Sequence, residues 1–352
     1  MISGSGDKSS SRTEPLEPIE ADSKRRRKRM ASFAAALTSA IVMLFAATFI
    51  GAVVILNNYA DSLQAESTPR FTLSANSLTE PFYVLLIGSD SRKGTAIYNA
   101  KGSGSSKESQ YADVITLMRV DPRDYKITLV SVPRDTVLDG QTSKINAALN
   151  SDDPRDVVDA VEKLAGVQVD SYLMTTFISF ENLINALGGI NIDVPKTVKL
   201  IDPATGKNVT VKKGKNQHLN GSQALVLARA REEYDGNTEA LRQVNVRGIE
   251  RAMIEAVLNM DGNIDVERVL TALSDDTRSD IDVMAYSRLI LDFVEHANDV
   301  TIYDGTGTYE GGERSGDKAW VIPEDDQAWE ALMAAVNAGE DPQSVIKPPA
   351  FK

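Results

Sequence analysis

Hydrophobic and polar positions divide the chain into three textures. Residues 1–30 contain no apolar run, Ala31 to Leu56 reads as 26 residues without a charge, and apolar bursts separated by polar turns follow from Pro81 onward. In this last part Tyr83–Gly88 and Val114–Val120 are continuous apolar runs, which predicts strands buried on both faces. Lys126–Val132 predicts a third strand, joined to the second by a turn at Asp121-Pro122-Arg123-Asp124, so the two should form a hairpin. Pro154 at a first helical turn, Asp153 as its cap, helically spaced Val157, Val158, Val161 and Leu164, and Gly166 at the end predict one helix. Tyr172–Phe177 reads as a strand, Phe180–Leu187 as a helix closed by Gly188-Gly189, and Ile190–Val194 as a short strand. Helices are expected over Gly221–Glu232, Ala240–Met260, Val266–Leu273, Asp282–His296 and Asp325–Ala338. Strands and helices interleave, so the predicted class is α/β, a mixed central sheet covered by helices.

The uncharged stretch changes the picture. A helix of 26 residues at about 1.5 Å per residue exceeds a hydrocarbon core of roughly 30 Å. The basic run Lys24–Arg29 directly precedes it, and the positive-inside rule keeps that flank cytoplasmic. The expected organisation is a basic tail (1–30), a transmembrane helix (31–56), an extracytoplasmic tether (57–80) and a folded domain (81–340). The stretch is longer than the apolar region of a cleaved signal peptide. Its place beside the span accounts for the basic run without nucleic acid.

Charge and composition narrow the chemistry. Residues 1–30 carry +3, so the whole-chain charge of −12 leaves −15 on the remainder, a poor generic binder of nucleic acid. There is no cysteine, which excludes disulfides, zinc–thiolate sites and thiol nucleophiles. No phosphate-binding glycine loop, serine elbow or zinc-protease motif is present. His218, in a Gly/Asn-rich loop, and His296, in a helix, read as structural. Any anion must therefore be held locally by arginine.

Three segments qualify. Gly88-Ser89-Asp90-Ser91-Arg92 follows a buried strand, where ligands gather in open α/β sheets; the plain alternative is an Asx turn. Val132-Pro133-Arg134-Asp135 offers a guanidinium fork that an adjacent carboxylate can steady, or a local ion pair; Asp135 reads as structural. Arg229 and Arg231 end a predicted helix, with Arg242 in the next; residues two apart diverge on a helix unless it ends there. Asp113 opens the second strand and can share a cation with Asp90, since magnesium takes one or two carboxylates with water and phosphate oxygens.

Taken in order, these segments resemble the LytR-CpsA-Psr family of Gram-positive cell walls. The resemblance runs through Leu85–Arg92, Ala112–Leu117, Ile127–Asp135, Lys144–Ala148, Phe180–Pro195 and His218–Arg231, covering roughly Pro81 to Met260. It implies a phosphotransferase that moves a glycosyl phosphate from a polyprenyl-pyrophosphate-linked glycan, such as teichoic acid or capsule, to a peptidoglycan sugar hydroxyl. It implies that Asp90 and Asp113 hold Mg²⁺ (or Mn²⁺), and that Arg134, Arg229, Arg231 and Arg242 clamp the pyrophosphate, with Arg92 as a further clamp. Asp90, Asp113 and Arg134 are the catalytic candidates. The chain departs from the family pattern at Tyr111, where an arginine is usual, and near Val246, where a glutamine is usual; at the first, one pyrophosphate contact is either lost or supplied by Lys107, and at the second Arg247 is the candidate substitute. Those departures keep open a second reading, a non-catalytic scaffold binding wall glycan or polyprenyl lipid. A transcriptional regulator would need a cytoplasmic DNA-binding segment, for which residues 1–30 are too short.

Overall fold

In the computed structural model, residues 79–91, 95, 110–259, 272, 277–281 and 283–352 are described. They belong to the second of two units into which the chain divides, Met1–Met43 and Leu44–Lys352. The basic tail, the apolar span, nearly all of the tether, Arg92, the loop Lys101–Lys107 and most of the helix expected over Val266–Leu273 lie outside them. Among the described residues no helix is long and apolar enough to cross a membrane.

The apolar runs become the middle of a sheet. β1 (Phe82–Ser89) pairs antiparallel with β2 (Ala112–Asp121), which pairs antiparallel with β3 (Lys126–Ser131), the predicted hairpin. The two-residue β4 (Thr136–Val137) follows, then the helix α1 (Pro154–Ala165). Both ends of α1 are as the sequence dictates: Asp153 accepts from the Arg155 N–H, Pro154 fills the first turn, and Gly166 takes a left-handed conformation at φ 64°. β5 (Ser171–Thr175) lies parallel to β1. α2 (Phe177–Ala186) starts earlier than its apolar pattern suggests, because Thr176 and Ser179 form a reciprocal capping box. Phe177 therefore opens a helix rather than ending a strand.

Four strands come next: β6 (Ile190–Val194), β7 (Val198–Ile201), β8 (Asn208–Val211) and β9 (Gly214–Leu219). They form two antiparallel pairs, β6 with β9 and β7 with β8. Only β6 is visible in the apolar pattern; the others are short and half-exposed, and His218 sits in β9 rather than in a loop. α3 (Gly221–Arg229) and α4 (Thr238–Leu258) follow. Beyond them come β10 (Arg278–Ser279), α5 (Val283–Glu295), β11 (Thr301–Thr306), β12 (Gly312–Glu313), β13 (Trp320–Pro323) and α6 (Asp326–Asn337).

The main sheet is six-stranded and mixed, in the order β10-β5-β1-β2-β3-β11, with β5 and β11 parallel to their inner neighbours. Alternate residues of β1 serve opposite faces. Leu85 and Ile87 pack with Val157, Val161, Trp329 and Leu332 of α1 and α6. Phe82 and Val84 pack with Tyr286, Phe293 and Leu258 of α5 and α4. Burial on both faces is why the strand reads as an unbroken apolar run. A third core joins α2, α3 and α4 to the two small strand pairs.

Candidate active site

The site begins with a fault in the sheet. Along β1 and β2 the register runs Gly88 to Val114 and then Ser89 to Ala112, which leaves Asp113 as an extra, unpaired residue. Such a bulge turns a side chain out of the pleat, and Asp113 lines a cavity of about 170 Å³ at the carboxyl end of β1. Gly88 makes the bulge possible: a Cβ there would stand 2.9 Å from Val114 Cβ.

Arg134, Arg229, Arg231 and Arg242 line the same cavity. Each arrives by a different local device. Arg134 stands just after β3, 19% exposed, bonded through Nη1 to the Asp113 carboxylate. Arg229 is the last residue of α3, and Ala230 is extended, at ψ 126°. The helix therefore ends between Arg229 and Arg231, and both side chains reach one space. Arg229 donates to the Ile201 carbonyl at 3.1 Å and lies 5.4 Å from the Phe177 ring centroid, a cation–π contact. Arg242, in the first turns of α4, is buried and donates to the Asp113 carbonyl at 2.7 Å. The apolar wall comprises Val114, Phe177, Phe180, Leu225 and Ala228.

One residue organises these cations and has no counterpart in the sequence reading: Glu239. Its carboxylate accepts from Arg242 Nε at 3.1 Å and Nη2 at 2.5 Å, and stands 3.5 Å from both Arg134 Nε and Arg231 Nη1. Burial works against its charge, yet the attraction of Arg242, Arg134 and Arg231 holds its pKa below the usual carboxylate range. Arg134 is the converse case: burial favours the neutral form, and Glu239, Asp113 and Asp135 outweigh it and raise the pKa. The signal was present at the amino end of α4, but an acidic first turn also answers the helix dipole and draws no notice.

Other expectations are corrected. Asp135 does not steady Arg134 by contact; it accepts from Lys144 Nζ at 2.6 Å, while Asp113 and Glu239 flank the guanidinium. Arg247 does not replace the glutamine: it is 1% exposed, donates to Ser131 Oγ at 2.7 Å and lies beside Asp304 at 3.5 Å, away from the cavity. Val246 is buried in the third core. Asp90 is not among the residues lining the cavity. Its Oδ1 accepts from the Tyr111 N–H at 2.7 Å, and its own N–H donates back to the Tyr111 carbonyl at 3.1 Å. Tyr111 thus closes the strand end against Asp90. Arg92 and Lys107 lie outside the described residues. His218 contacts Asn191, and His296 stacks on Tyr125 at 4.5 Å between centroids.

Within the cavity wall and Glu239 the formal charges are four positive and two negative. The resulting net of +2 suits a doubly charged anion with planar guanidinium recognition.

A model of the LytR_cpsA_psr family matches residues 50–327. The chain belongs to that family. Among its curated relatives is the polyisoprenyl-teichoic acid–peptidoglycan teichoic acid transferase TagU of Enterococcus faecalis, 29% identical over 218 residues, covering 61% of this chain and 66% of that protein. The TagV protein of Bacillus subtilis, named for the same activity, is 26% identical over 242 residues, covering 66% of this chain and 59% of that protein. The match therefore spans less than two thirds of either relative's length. The crystal structure of B. subtilis TagV shares the fold, with a TM-score of 0.59 at 22% identity over 77% of this chain and 99% of that one. Membership in the LytR_cpsA_psr family agrees with the mixed sheet and its helical cover.

Proposed function

We propose that the chain transfers a glycosyl phosphate from a polyprenyl-pyrophosphate-linked glycan to a sugar hydroxyl of peptidoglycan. The observation that carries this reading is the convergence of Arg134, Arg229, Arg231 and Arg242 with Asp113 on one partly apolar cavity. Its net charge of +2 matches the two negative charges of a pyrophosphate diester, and its named relatives are teichoic acid transferases.

In the reaction the acceptor hydroxyl oxygen forms a bond to the glycan-bearing phosphorus. The bridging P–O bond breaks, polyprenyl phosphate leaves, and the hydroxyl proton passes to a base. Phosphoryl transfer depends on positioning and on neutralising charge on the transferring oxygens. Arg134, Arg229 and Arg231 supply that neutralisation. Arg242 is a positioning residue: its donors are taken by Glu239 and by the Asp113 and Ala228 carbonyls. Val114, Phe177, Phe180 and Leu225 give the site a low-dielectric wall, where fixed charges act more strongly.

Magnesium or manganese belongs to the proposal. Asp113, in the bulge of β2, and Asp90, just after β1, are hard oxygen donors of the kind of which magnesium takes one or two beside water and phosphate oxygens. The described residues contain no cluster of three acidic or histidine ligands. Of the two carboxylates only Asp113 lines the cavity, so an ion there would be held by Asp113 together with pyrophosphate oxygens and would screen the phosphate charge. Localisation is proposed from the sequence: an N-terminal single-pass anchor with the domain on the outer face, no nucleic acid, and Arg92 as an additional clamp.

The test is transfer by the purified full chain of a polyprenyl-pyrophosphate glycan to peptidoglycan fragments. Arg134→Ala should lower kcat at least about 100-fold, the cost typical of losing a transition-state donor, while Asp113→Asn should weaken dependence on magnesium. Wild-type rates in both variants would sink the mechanism.

A further inference from the structure

The body of the protein is acidic, but one piece of it is not. Residues 196–215 carry six lysines against one carboxylate, Asp202, on a chain whose residues beyond 30 sum to −15. Asp202 is fully buried and cancels nothing at the surface. Its Oδ2 accepts from Thr205 Oγ1 and from Ser222 Oγ, each at 2.6 Å, so it fastens the β7–β8 turn to α3.

Strand alternation sorts the two faces of this hairpin. Val198 and Val211 are buried, Leu200 and Val209 pack against the third core, and Lys199, Ile201, Asn208 and Thr210 are exposed on the other side. Lys207 extends the outward surface at the turn, and Lys212 and Lys213 extend it at the far end. Lys215 is paired with Asp193 at 2.6 Å and Lys196 with Asp235 at 3.5 Å. Lys199, Lys207, Lys212 and Lys213 have no carboxylate within 4.0 Å among the described residues. Four exposed lysines without a carboxylate partner give this small surface a local potential opposite in sign to the rest of the domain, and such a patch attracts an anion.

The position of the surface narrows the anion. The hairpin is bonded to α3 through Asp202 and Ser222, and the Ile201 carbonyl accepts from Arg229 at the end of that helix. It therefore borders the candidate pyrophosphate cavity. Lysines are flexible point charges, suited to a repeating polyanion without a fixed register, whereas a single phosphate favours the arginine fork. A membrane-binding surface would add aromatic or multiple apolar side chains, and here Ile201, 50% exposed, stands alone.

We infer that the outward face of the β7–β8 hairpin docks the chain of a phosphodiester-bearing polyanionic glycan whose pyrophosphate end lies in the arginine cavity. This rests on the proposed transfer reaction for its context and on the lysine surface for its content.

The experiment measures binding of a fluorescent poly(glycerol phosphate) chain, a neutral dextran of equal length and phosphatidylglycerol vesicles to the full chain in detergent. The quadruple variant Lys199→Gln, Lys207→Gln, Lys212→Gln, Lys213→Gln should bind poly(glycerol phosphate) at least about tenfold more weakly at low salt, with a shallower dependence of Kd on salt. These are exposed positions, so its melting temperature should stay in place, and the matching Lys→Arg variant should keep wild-type affinity. Unchanged polymer affinity in the glutamine variant overturns the inference, as does equal binding of dextran by the wild type. Loss confined to the vesicles also overturns it and assigns the surface to membrane. Polymer binding is read without turnover, so a chain that binds the polymer and transfers nothing refutes the transferase reading alone.

Discussion

At the level of single residues, two carboxyl groups show opposite responses to burial. Glu239 stays ionised because Arg134, Arg231 and Arg242 surround it. Glu239→Gln keeps the shape but leaves three guanidinium groups sharing a neutral amide. Removing one partner of a buried ion pair costs about 3–5 kcal/mol, and partial exposure reduces this to about 2–3 kcal/mol, measurable by urea unfolding. Because its folded pKa is lowered, its contribution is present above the ordinary range near 4 and lost as pH falls below it. Glu181 is the reverse case: burial first, then the hydrogen bond and charge of Asp202, push its pKa up to about 8. Asp202 keeps its charge despite burial, through bonds from Ser222, Thr205, Glu181 and the Ala204 N–H. The folded state thus holds a proton on Glu181 that the unfolded chain releases near pH 4. Stability should therefore fall as pH rises from about 4 to about 8, by an amount on the order of a few kcal/mol, and then level off. Glu181→Gln should flatten that slope in pH-dependent unfolding, and a slope that persists would refute the shared proton. Neither group was legible in the sequence, because each depends on partners brought from other elements.

Elements were legible where the chain's local chemistry agreed with its final surroundings. β1 announced itself because both faces are buried, and α1 because Asp153, Pro154 and Gly166 mark both its ends. β7, β8 and β9 were silent: they are short and interleaved with polar residues, too little to separate from loop, and only pairing makes them strands. The start of α2 was hidden because Phe177 looks like the end of an apolar strand, and Thr176 decides the matter through its cap. The candidate site was half visible. Arg134, Arg229, Arg231, Arg242 and Asp113 were named from strand and helix ends, while Arg247 was misread because spacing along α4 does not show that its side chain points inward. The bulge at Asp113 was invisible, since one extra residue in a strand leaves no mark on an apolar pattern. It yields a test. Gly88→Ala places a methyl against Val114, and overpacking of this kind costs about 1–3 kcal/mol. Relief requires the bulge to shift, so transfer activity should fall by more than stability alone accounts for, with kcat reduced at temperatures where the variant remains folded. Unaltered kcat would show that the bulge does not aim Asp113.

For the whole molecule the governing fact is the separation of charge along the chain. A tail of +3 precedes 26 uncharged residues, and everything beyond sums to −15. The family match begins at residue 50, within the uncharged stretch, and the described domain begins at residue 79. A lipid-linked donor is confined to the bilayer surface, and an enzyme anchored there by one helix meets it at high effective concentration. The full chain should therefore sediment with membranes and resist alkaline extraction, and a form lacking residues 1–56 should be released. Leu44→Arg, near the middle of the stretch, adds roughly 3 kcal/mol to insertion and should shift the protein toward the soluble fraction. Orientation is a separate question with a separate measurement. On the proposed orientation, with Lys24–Arg29 on the cytoplasmic side, added protease should digest the domain from spheroplasts without lysis. Replacing the six basic residues by asparagine should let part of the population insert with the domain protected. Complete protection of the wild-type domain would put the arginine cavity on the wrong side of the membrane for any wall acceptor.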